Sequence, residues 1–178
     1  MALPLAEHIK ERLAYWQEIW ACQVSNVKWV EKENLHLTLK FLGEVGVSDL
    51  EAVAVTTAKA VAGIPAFSIT VCGLGAFPGL WKGRVLWAGV EDEQGRLAAL
   101  AGRLEECLVS LGFPPEERSF IPHLTLGRVR QPTAVTLPDL GKEVLKVKVE
   151  EVVLYQSMLG WRGPVYEVLQ RFSLAENG

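Results

Sequence analysis

The 178-residue chain has 49% hydrophobic residues, 22% charged residues and a formal net charge of −3. This hydrophobic content is sufficient for a core, and the length suits one domain or two small lobes rather than several independent domains. The small negative charge excludes general binding of nucleic acid over the whole surface, which requires many Lys or Arg contacts to phosphate. Any contact with nucleic acid should therefore be local.

Cysteine usage and hydrophobic runs narrow the class of protein further. Cys22, Cys72 and Cys107 are odd in number, widely separated and outside any CxxC pattern, so neither a disulfide framework nor a zinc site is expected. No run of about 18 apolar residues is present, so no membrane span is expected. The first residues lack the basic segment and long apolar run of a signal peptide, which favours a cytoplasmic protein.

Apolar periodicity predicts three helices: over Ala6–Cys22, from Ser48 to near Gly63, and along a leucine stripe from Leu97 to Leu111. Alternating apolar residues predict strands, and the clearest candidates are Val27–Val30, Phe67–Gly73, Arg84–Val90, Leu145–Val149, Val152–Ser157 and Pro164–Phe172. Gly75 to Gly83 and Gln131 to Gly141 are expected to be loops because Gly and Pro interrupt them.

Three local features need separate predictions. Ser48 followed by Glu51 is a capping-box pattern for the second helix. The alternation changes phase at Glu150, which predicts a bulge there. The first five residues are too short for a prediction, and Pro4 disfavours a long strand.

A four-residue word occurs twice, as His36-Leu37-Thr38-Leu39 and as His123-Leu124-Thr125-Leu126. Only three histidines exist in the chain, and two of them hold the same place in this word. Successive side chains of a strand point to opposite faces, so each copy should present an imidazole and a hydroxyl on one face and leucines on the other. The order of elements predicts two α+β halves of similar plan that place one copy each on facing sheets.

Two facing imidazoles can perform proton transfer at neutral pH. One can take a proton from water while the other gives a proton to a leaving oxygen, and each step typically contributes about 10²–10⁴-fold to the rate. The two threonine hydroxyls can donate hydrogen bonds to an oxyanion between the histidines, which suits a phosphate. A single histidine on a strand is usually a surface residue or a hydrogen-bonded core residue, but duplication of the whole pattern favours a catalytic pair. His8, on the polar side of the first helix, keeps the structural interpretation.

Charged residues near the two motifs leave two interpretations open. Arg118, Arg128 and Arg130 flank the second motif and Lys40 follows the first, which fits either a small basic pocket or a solvated loop. Neither motif has a nearby Asp, Glu or Cys on its own face, so a metal site is not expected. The chain also lacks a P-loop, a GxGxxG after a strand and a GxSxG elbow.

The two motifs and their surroundings resemble the two-histidine phosphoesterase superfamily, and within it the RNA 2′,3′-cyclic phosphodiesterase branch, long called 2′-5′ RNA ligases. The resemblance rests on three stretches that agree in order and spacing: Asn34 to Glu44, His123 to Arg128, and Leu154 to Ser157 followed by Gly163 to Glu167. It implies an α+β fold in a bilobal, pseudo-two-fold arrangement. Two mainly antiparallel sheets with outer helices would enclose a central cleft in one domain spanning residues 1–178.

The same resemblance implies an activity and roles for individual residues. The enzyme would open the 2′,3′-cyclic phosphate of RNA ends to a 2′-phosphate without a metal or other cofactor, and its reverse reaction would make a 2′-5′ linkage. His36 would be the acid that protonates the leaving oxygen and His123 the base that activates water. Thr38 and Thr125 would hold the phosphate, and Arg128 would help to bind it through charge-assisted contacts.

The resemblance implies that Phe41 stacks on the terminal base of the substrate. Strict alternation instead puts Phe41 on the leucine face, where it would pack in the core. The chain departs from the family at its first strand, which is reduced to the residues before the first helix. A truncated first strand would leave an exposed sheet edge and favour dimerisation of an otherwise monomeric protein. Two alternatives to the RNA enzyme stay open: a non-catalytic module that binds RNA ends, and a phosphodiesterase for a small cyclic nucleotide.

Overall fold

The computed structural model describes residues 1–161 and 163–176. The predicted α+β class is confirmed, with the helices α1 (Glu7–Ala21), α2 (Leu50–Val61) and α3 (Arg96–Val109). The strands are β1 (Ala2–Pro4), β2 (Val27–Trp29), β3 (His36–Thr38), β4 (Phe67–Phe77), β5 (Gly83–Glu91), β6 (His123–Thr133), β7 (Val144–Val149), β8 (Glu151–Gly160) and β9 (Gly163–Ser173). In the part of the chain that the structure describes, no helix is long and apolar enough to span a membrane.

The strands form two antiparallel sheets, each of which contains one copy of the histidine motif. The four-stranded sheet has the order β3-β1-β8-β9, and the five-stranded sheet has the order β2-β6-β5-β4-β7. The motif strand β3 lies at the edge of the first sheet, whereas the motif strand β6 lies inside the second. The prediction that the two motifs lie on different sheets is confirmed.

The two halves of the molecule repeat one plan of strand, helix and motif strand. In the first half β1 leads through α1 to β3, which pairs antiparallel with β1. In the second half β5 leads through α3 to β6, which pairs antiparallel with β5. The register matches as well, since Ala2 lies opposite Thr38 and Trp87 lies opposite Thr125. This repetition gives the fold its pseudo-two-fold character and brings equivalent positions of the two motifs to the same cleft.

The apolar faces of the helices pack against the sheets in one connected core. In α1 the apolar residues that recur at helical spacing form one buried face, made of Ile9, Leu13, Trp16 and Trp20. Burying a Leu or Ile side chain contributes about 1.5–3 kcal/mol, so this one face accounts for several kcal/mol of stabilisation. The indole N–H of Trp20 donates to the carbonyl of Thr136 at 2.8 Å, which satisfies its polar atom inside the core.

The first strand corrects the expectation of an exposed sheet edge. Although β1 has only three residues, it lies between β3 and β8 and pairs with both of them. Ala2 and Leu3 are buried, so the short strand is an interior part of the sheet. Pro4 is accommodated as the last residue of the strand, where it lies opposite His36. The edge that a truncated first strand would expose is therefore not present at β1.

Two local predictions, the capping box at Ser48 and the bulge at Glu150, are wrong. The hydroxyl of Ser48 contacts Asp49 at 3.3 Å rather than capping a helix, because a 3₁₀ turn over Val47–Asp49 precedes α2. The phase change at Glu150 is not a bulge. The chain crosses there from β7 in the five-stranded sheet to β8 in the four-stranded sheet, so the buried face changes with the sheet.

Two predicted loops are partly strands. Strand β4 continues beyond Gly73 to Phe77, through a register shift between Cys72 and Leu74. Strand β6 continues through Pro132 to Thr133. The added length of β4 matters for the site, because it carries Phe77 to a position beside the second motif.

Candidate active site

The two motif strands approach each other across the cleft between the sheets. Cα atoms of β3 and β6 come within 8 Å of one another. His36 and Thr38 line the cleft from one side and His123 and Thr125 from the other, and the cleft has a volume of about 1360 Å³. The leucines of both motifs are buried on the opposite faces, as alternation predicts. Burial of these leucines fixes the direction in which each imidazole points.

The two histidines are held by the same hydrogen bond. Nδ1 of His36 lies 2.7 Å from the carbonyl oxygen of Asn34, and Nδ1 of His123 lies 2.7 Å from the carbonyl oxygen of Ile121. A carbonyl oxygen only accepts, so Nδ1 must carry the proton in both rings. This arrangement leaves Nε2 of each ring to exchange a proton with a bound molecule. A neutral ring can then act as a base through Nε2, and a charged ring can act as an acid.

His36 lies in an aromatic surrounding that the motif itself does not reveal. Its ring centroid is 4.8 Å from that of Tyr166, edge to face, and 5.8 Å from that of Tyr155. Burial lowers the pKa of His36 below its ordinary value of 6.5, because the charged ring loses solvation. The amide of Asn34 donates to the carbonyl of Pro164 at 2.8 Å and so ties the loop before the motif to β9. His36 is therefore held by a hydrogen bond and by aromatic contacts, and burial favours its neutral form.

His123 has a different aromatic neighbour on its own sheet. The ring of Phe77 meets it edge to face, with centroids 5.1 Å apart and planes at 87°. Phe77 in turn lies 5.2 Å from Trp87, whose ring covers Gly75. The sequence did not predict these aromatic neighbours of His123, because the end of β4 was assigned to a loop. Strict alternation from Phe67, Ile69 and Val71 would place Phe77 on the buried face. The register shift between Cys72 and Leu74 turns it toward His123 instead, so the local spacing carried no signal.

Arg128 reaches the cleft through an irregularity in β6. Strict alternation from Thr125 would place Arg128 on the leucine face. The pairing with β5 shifts instead, since Trp87 lies opposite Thr125 but Leu86 lies opposite Gly127. The extra residue on β6 turns the following side chain over, as a bulge does. Arg128 is consequently exposed and lines the cleft together with both histidines.

Phe41 reaches the cleft in the same way from the first motif. The carbonyl oxygen of Met1 accepts from the N–H groups of both Leu39 and Lys40, at 3.0 and 3.3 Å. Both of these residues are buried, so the alternation breaks and the next side chain turns outward. Phe41 is 73% exposed and lines the cleft. The interpretation of Phe41 as a core residue is therefore wrong.

Lys40 does not contribute to a basic pocket. Its side chain is only 5% exposed, and its ammonium lies 2.8 Å from a carboxylate oxygen of Glu105 and 2.8 Å from the carbonyl oxygen of Pro114. The partner carboxylate compensates the buried charge. Lys40 lines part of the cleft but its ammonium is occupied by Glu105 and Pro114, whereas Arg118 and Arg130 do not line the cleft. Of the four cations that flank the motifs, only Arg128 is available to a molecule in the cleft.

A further cation in the cleft is Lys28, which sequence reasoning missed. It lies on β2 directly opposite Arg128 on β6, and both side chains line the cleft. The available signal was its place as the only charged residue of a strand between Val27 and Trp29, on the face opposite to theirs. Among residues 1–161 and 163–176, no group of three or more His, Cys, Asp or Glu side chains is arranged to hold a metal ion.

The sequence and the fold match known proteins over nearly the whole chain. The model of the 2′-5′ RNA ligase superfamily matches residues 5–160. A protein of Aeropyrum pernix named RNA 2′,3′-cyclic phosphodiesterase is 40% identical, over 85% of this chain and 89% of its own length. A protein of Methanothermobacter thermautotrophicus with the same name is 36% identical, over 98% of this chain and 97% of its own.

A solved structure extends the comparison to three dimensions. The crystal structure of Escherichia coli LigT complexed with 3′-AMP superposes with a TM-score of 0.81 at 30% identity, covering 97% of this chain and 95% of LigT. The relatives and the solved structure thus agree on the family and on the fold.

Proposed function

The chain belongs to the 2′-5′ RNA ligase superfamily, and from this premise we propose that it is an RNA 2′,3′-cyclic phosphodiesterase. It hydrolyses the 2′,3′-cyclic phosphate at an RNA end and leaves a 2′-phosphate. The single observation that carries this proposal is the matched pair of histidines, His36 and His123, each held through Nδ1 by a backbone carbonyl on facing strands. Relatives that carry the phosphodiesterase name at 36–40% identity support the same reaction.

The reaction needs one base and one acid on opposite sides of the phosphorus. Nε2 of His123 takes a proton from water, whose oxygen forms a new bond to phosphorus. The bond between phosphorus and the 3′ oxygen breaks, and Nε2 of His36 gives that oxygen a proton. One water is consumed, and the net result is a 3′ hydroxyl and a 2′-phosphate. The two histidines end with their protonation states exchanged, and proton transfer through solvent restores them.

Thr38, Thr125 and Arg128 stabilise the phosphate as its charge redistributes. The two hydroxyls donate hydrogen bonds from opposite walls to the non-bridging oxygens, where negative charge increases. The guanidinium of Arg128 donates in parallel to two oxygens, which a planar fork does better than an ammonium. Phe41 presents its exposed ring at the mouth of the cleft, where the base of the terminal nucleotide stacks on it.

The bound phosphate prepares His36 for its role as the acid. In the empty cleft burial keeps this ring neutral, since its pKa lies below 6.5. An anion close to a ring favours its charged form, so the substrate raises the pKa that burial had lowered. His36 therefore takes up its proton when the substrate binds. If a 5′ hydroxyl replaces water as the attacking group, the same steps on the cyclic phosphate break the bond to the 3′ oxygen and form a 2′-5′ linkage.

We infer that one chain forms the complete enzyme, a monomer of one domain over residues 1–178 that acts in the cytoplasm. Both halves of the cleft come from the same chain, and one connected core joins the two sheets. Measurement of the molar mass in solution tests the monomer, and fractionation of cells with specific detection of the protein tests the compartment. A dimer whose interface covers the cleft would contradict the monomer.

Incubation with RNA tests the proposed function. The substrate is an oligonucleotide ending in a 2′,3′-cyclic phosphate, in excess EDTA, and the product is analysed for the position of its phosphate. We expect conversion to the 2′-phosphate at an undiminished rate in EDTA. Binding of the RNA end without turnover would show a binding module instead, and turnover restricted to cyclic mononucleotides would show a different substrate.

A further inference from the structure

Two residues of the cleft wall have no part in the proposed chemistry: Lys28 on β2 and Trp161 at the tip of the β8–β9 hairpin. Both line the same cleft as the two histidines. The volume of about 1360 Å³ exceeds the range of about 300–1,000 Å³ that is usual for small-molecule pockets. The cleft thus has room for more than the terminal nucleotide.

The position of Lys28 is electrostatically unfavourable for the fold by itself. Its cross-strand neighbour is Arg128, and directly opposed like charges destabilise a strand pair by about 0.2–1 kcal/mol. In the part of the chain that the structure describes, neither Lys28 nor Arg128 forms an ion pair with a carboxylate. Two opposed and uncompensated cations on the wall of a cleft favour a ligand with more than one anionic group.

The ammonium of Lys28 lies beside the turn of the β8–β9 hairpin, the same turn that carries Trp161. A Cβ atom built on Gly163 would come within 3.3 Å of Nζ of Lys28, so the cation and the start of β9 are in close proximity. Trp161 is fully exposed in the turn just before β9. An indole held in water forgoes the large apolar burial that tryptophan usually provides, and its flat face is the kind of surface on which bases stack.

We propose that Lys28 and Trp161 form a subsite for the nucleotide on the 5′ side of the terminal one. Lys28 binds the phosphate that links the two nucleotides, and Trp161 stacks on the base of the upstream one. Arg128 is left for the reacting phosphate, and Phe41 for the terminal base. This inference rests on the proposed function and narrows its substrate class to single-stranded RNA ends of two or more nucleotides. Stacking reads no sequence, so the subsite accepts any base.

Kinetics with a matched pair of substrates test the subsite. The substrates are adenosine 2′,3′-cyclic monophosphate and the dinucleotide ApA that ends in a 2′,3′-cyclic phosphate. For the unmodified protein we expect kcat/KM to be at least about tenfold higher on the dinucleotide, the size of one stacking or charge-assisted contact. The variants Lys28→Gln and Trp161→Ala should each lower this preference about tenfold, and Trp161→Phe should restore most of it.

The control variants are Lys146→Gln and Trp81→Ala, which change an exposed lysine on β7 and an exposed tryptophan outside the cleft. Both should keep the preference for the dinucleotide. A wild-type preference below twofold, or a preference that Lys28→Gln and Trp161→Ala leave unchanged, would overturn the inference. Equal losses on both substrates in Lys28→Gln would also overturn it, because Lys28 would then act on the reacting phosphate.

Binding separates a failure of the subsite from a failure of the proposed function. The probes are 2′-AMP and ApA ending in a 2′-phosphate, and the dissociation constants are measured by calorimetry at several salt concentrations. Tighter binding of the dinucleotide, lost in Trp161→Ala, supports the subsite even if neither cyclic substrate is turned over. For Lys28→Gln we expect the slope of log K against log salt to decrease by about 0.7, the value for one phosphate contact to a single strand. An unchanged slope would contradict the role of Lys28.

Discussion

Phe41 and Arg128 hold equivalent positions in the two halves of the molecule, three residues after the threonine of each motif. In both halves two inward-facing residues follow the threonine, and the next side chain turns into the cleft. One backbone irregularity, used twice, thus delivers an apolar ring on one wall and a cation on the other. The histidines and threonines obey the pseudo-two-fold relation, whereas Phe41 and Arg128 break it. We infer that this difference orients a substrate that has both a base and a phosphate.

Replacement of Arg128 tests its contact with the phosphate. Hydrogen bonds to charged groups contribute about 1.5–3 kcal/mol, so Arg128→Ala should lower kcat/KM about 10–100-fold. Arg128→Lys should recover only part of the loss, because an ammonium lacks the planar fork. The control is Arg130→Ala, an exposed arginine on the same strand outside the cleft. Equal effects of Arg128→Ala and Arg130→Ala in steady-state kinetics would show that general charge, and not this contact, matters.

Phe41 is expected to affect binding without affecting stability. Base stacking on an aromatic ring contributes about 1–3 kcal/mol, so Phe41→Ala should weaken binding of a 2′-phosphate product about 5–150-fold. Phe41→Tyr should bind nearly as well as the unmodified protein. The free energy of unfolding should change by less than about 0.5 kcal/mol, since the side chain is 73% exposed. A large loss of stability in a denaturant titration would instead indicate a packing role.

Two glycine substitutions should change stability in opposite directions. A Cβ atom on Gly75 would lie 2.2 Å from the ring of Trp87, so Gly75→Ala should destabilise the fold by about 1–3 kcal/mol through overpacking. Gly102 is in the interior of α3, and a Cβ atom there meets nothing within 4 Å. Gly102→Ala should therefore stabilise by up to about 1 kcal/mol through helix propensity. Equal unfolding free energies for the two variants would contradict the close packing of Trp87.

The buried position of His36 predicts a pH dependence of stability. Burial lowers its pKa in the folded protein below 6.5, so below pH 6.5 the unfolded chain binds more protons than the folded one. The contribution of this residue is therefore complete above pH 6.5 and is lost as the pH falls toward the folded-state pKa. His36→Gln should make the loss of stability between pH 7 and pH 5 smaller. The control His8→Gln, at an exposed position of α1, should leave that loss unchanged, and the same pH dependence in all three proteins would refute the explanation.

The sequence was sufficient for the features that depend on short-range patterning. Leucines alternate with His36 and Thr38 over the whole motif, and burial of the leucines leaves the imidazole and the hydroxyl only one direction. The helices were predicted within a few residues because apolar faces such as that of α1 recur at the helical period. The resemblance of the motifs to a known family then supplied the plan of two sheets around a cleft.

The features that the sequence did not reveal depend on distant partners. The ammonium of Lys40 is occupied by Glu105, 65 residues away. Arg128 faces the cleft because the pairing of β6 with β5 shifts, and no local pattern records a shift in register. Strand β1 is stable at three residues because it is paired on both sides. Lys28 becomes significant only when β2 is placed beside β6.

A substrate with sulfur in place of the 3′ oxygen tests the central claim most directly, because a thiolate leaves without a proton from an acid. His36→Ala and His123→Ala should each lower kcat on the oxygen substrate about 10²–10⁴-fold. On the dinucleotide that carries the 3′-thio cyclic phosphate, His36→Ala should recover most of the lost rate, and His123→Ala should not, since the base is still missing. Recovery in His123→Ala instead would reverse the two roles, and unimpaired rates of either variant on the oxygen substrate would contradict the acid–base pair itself.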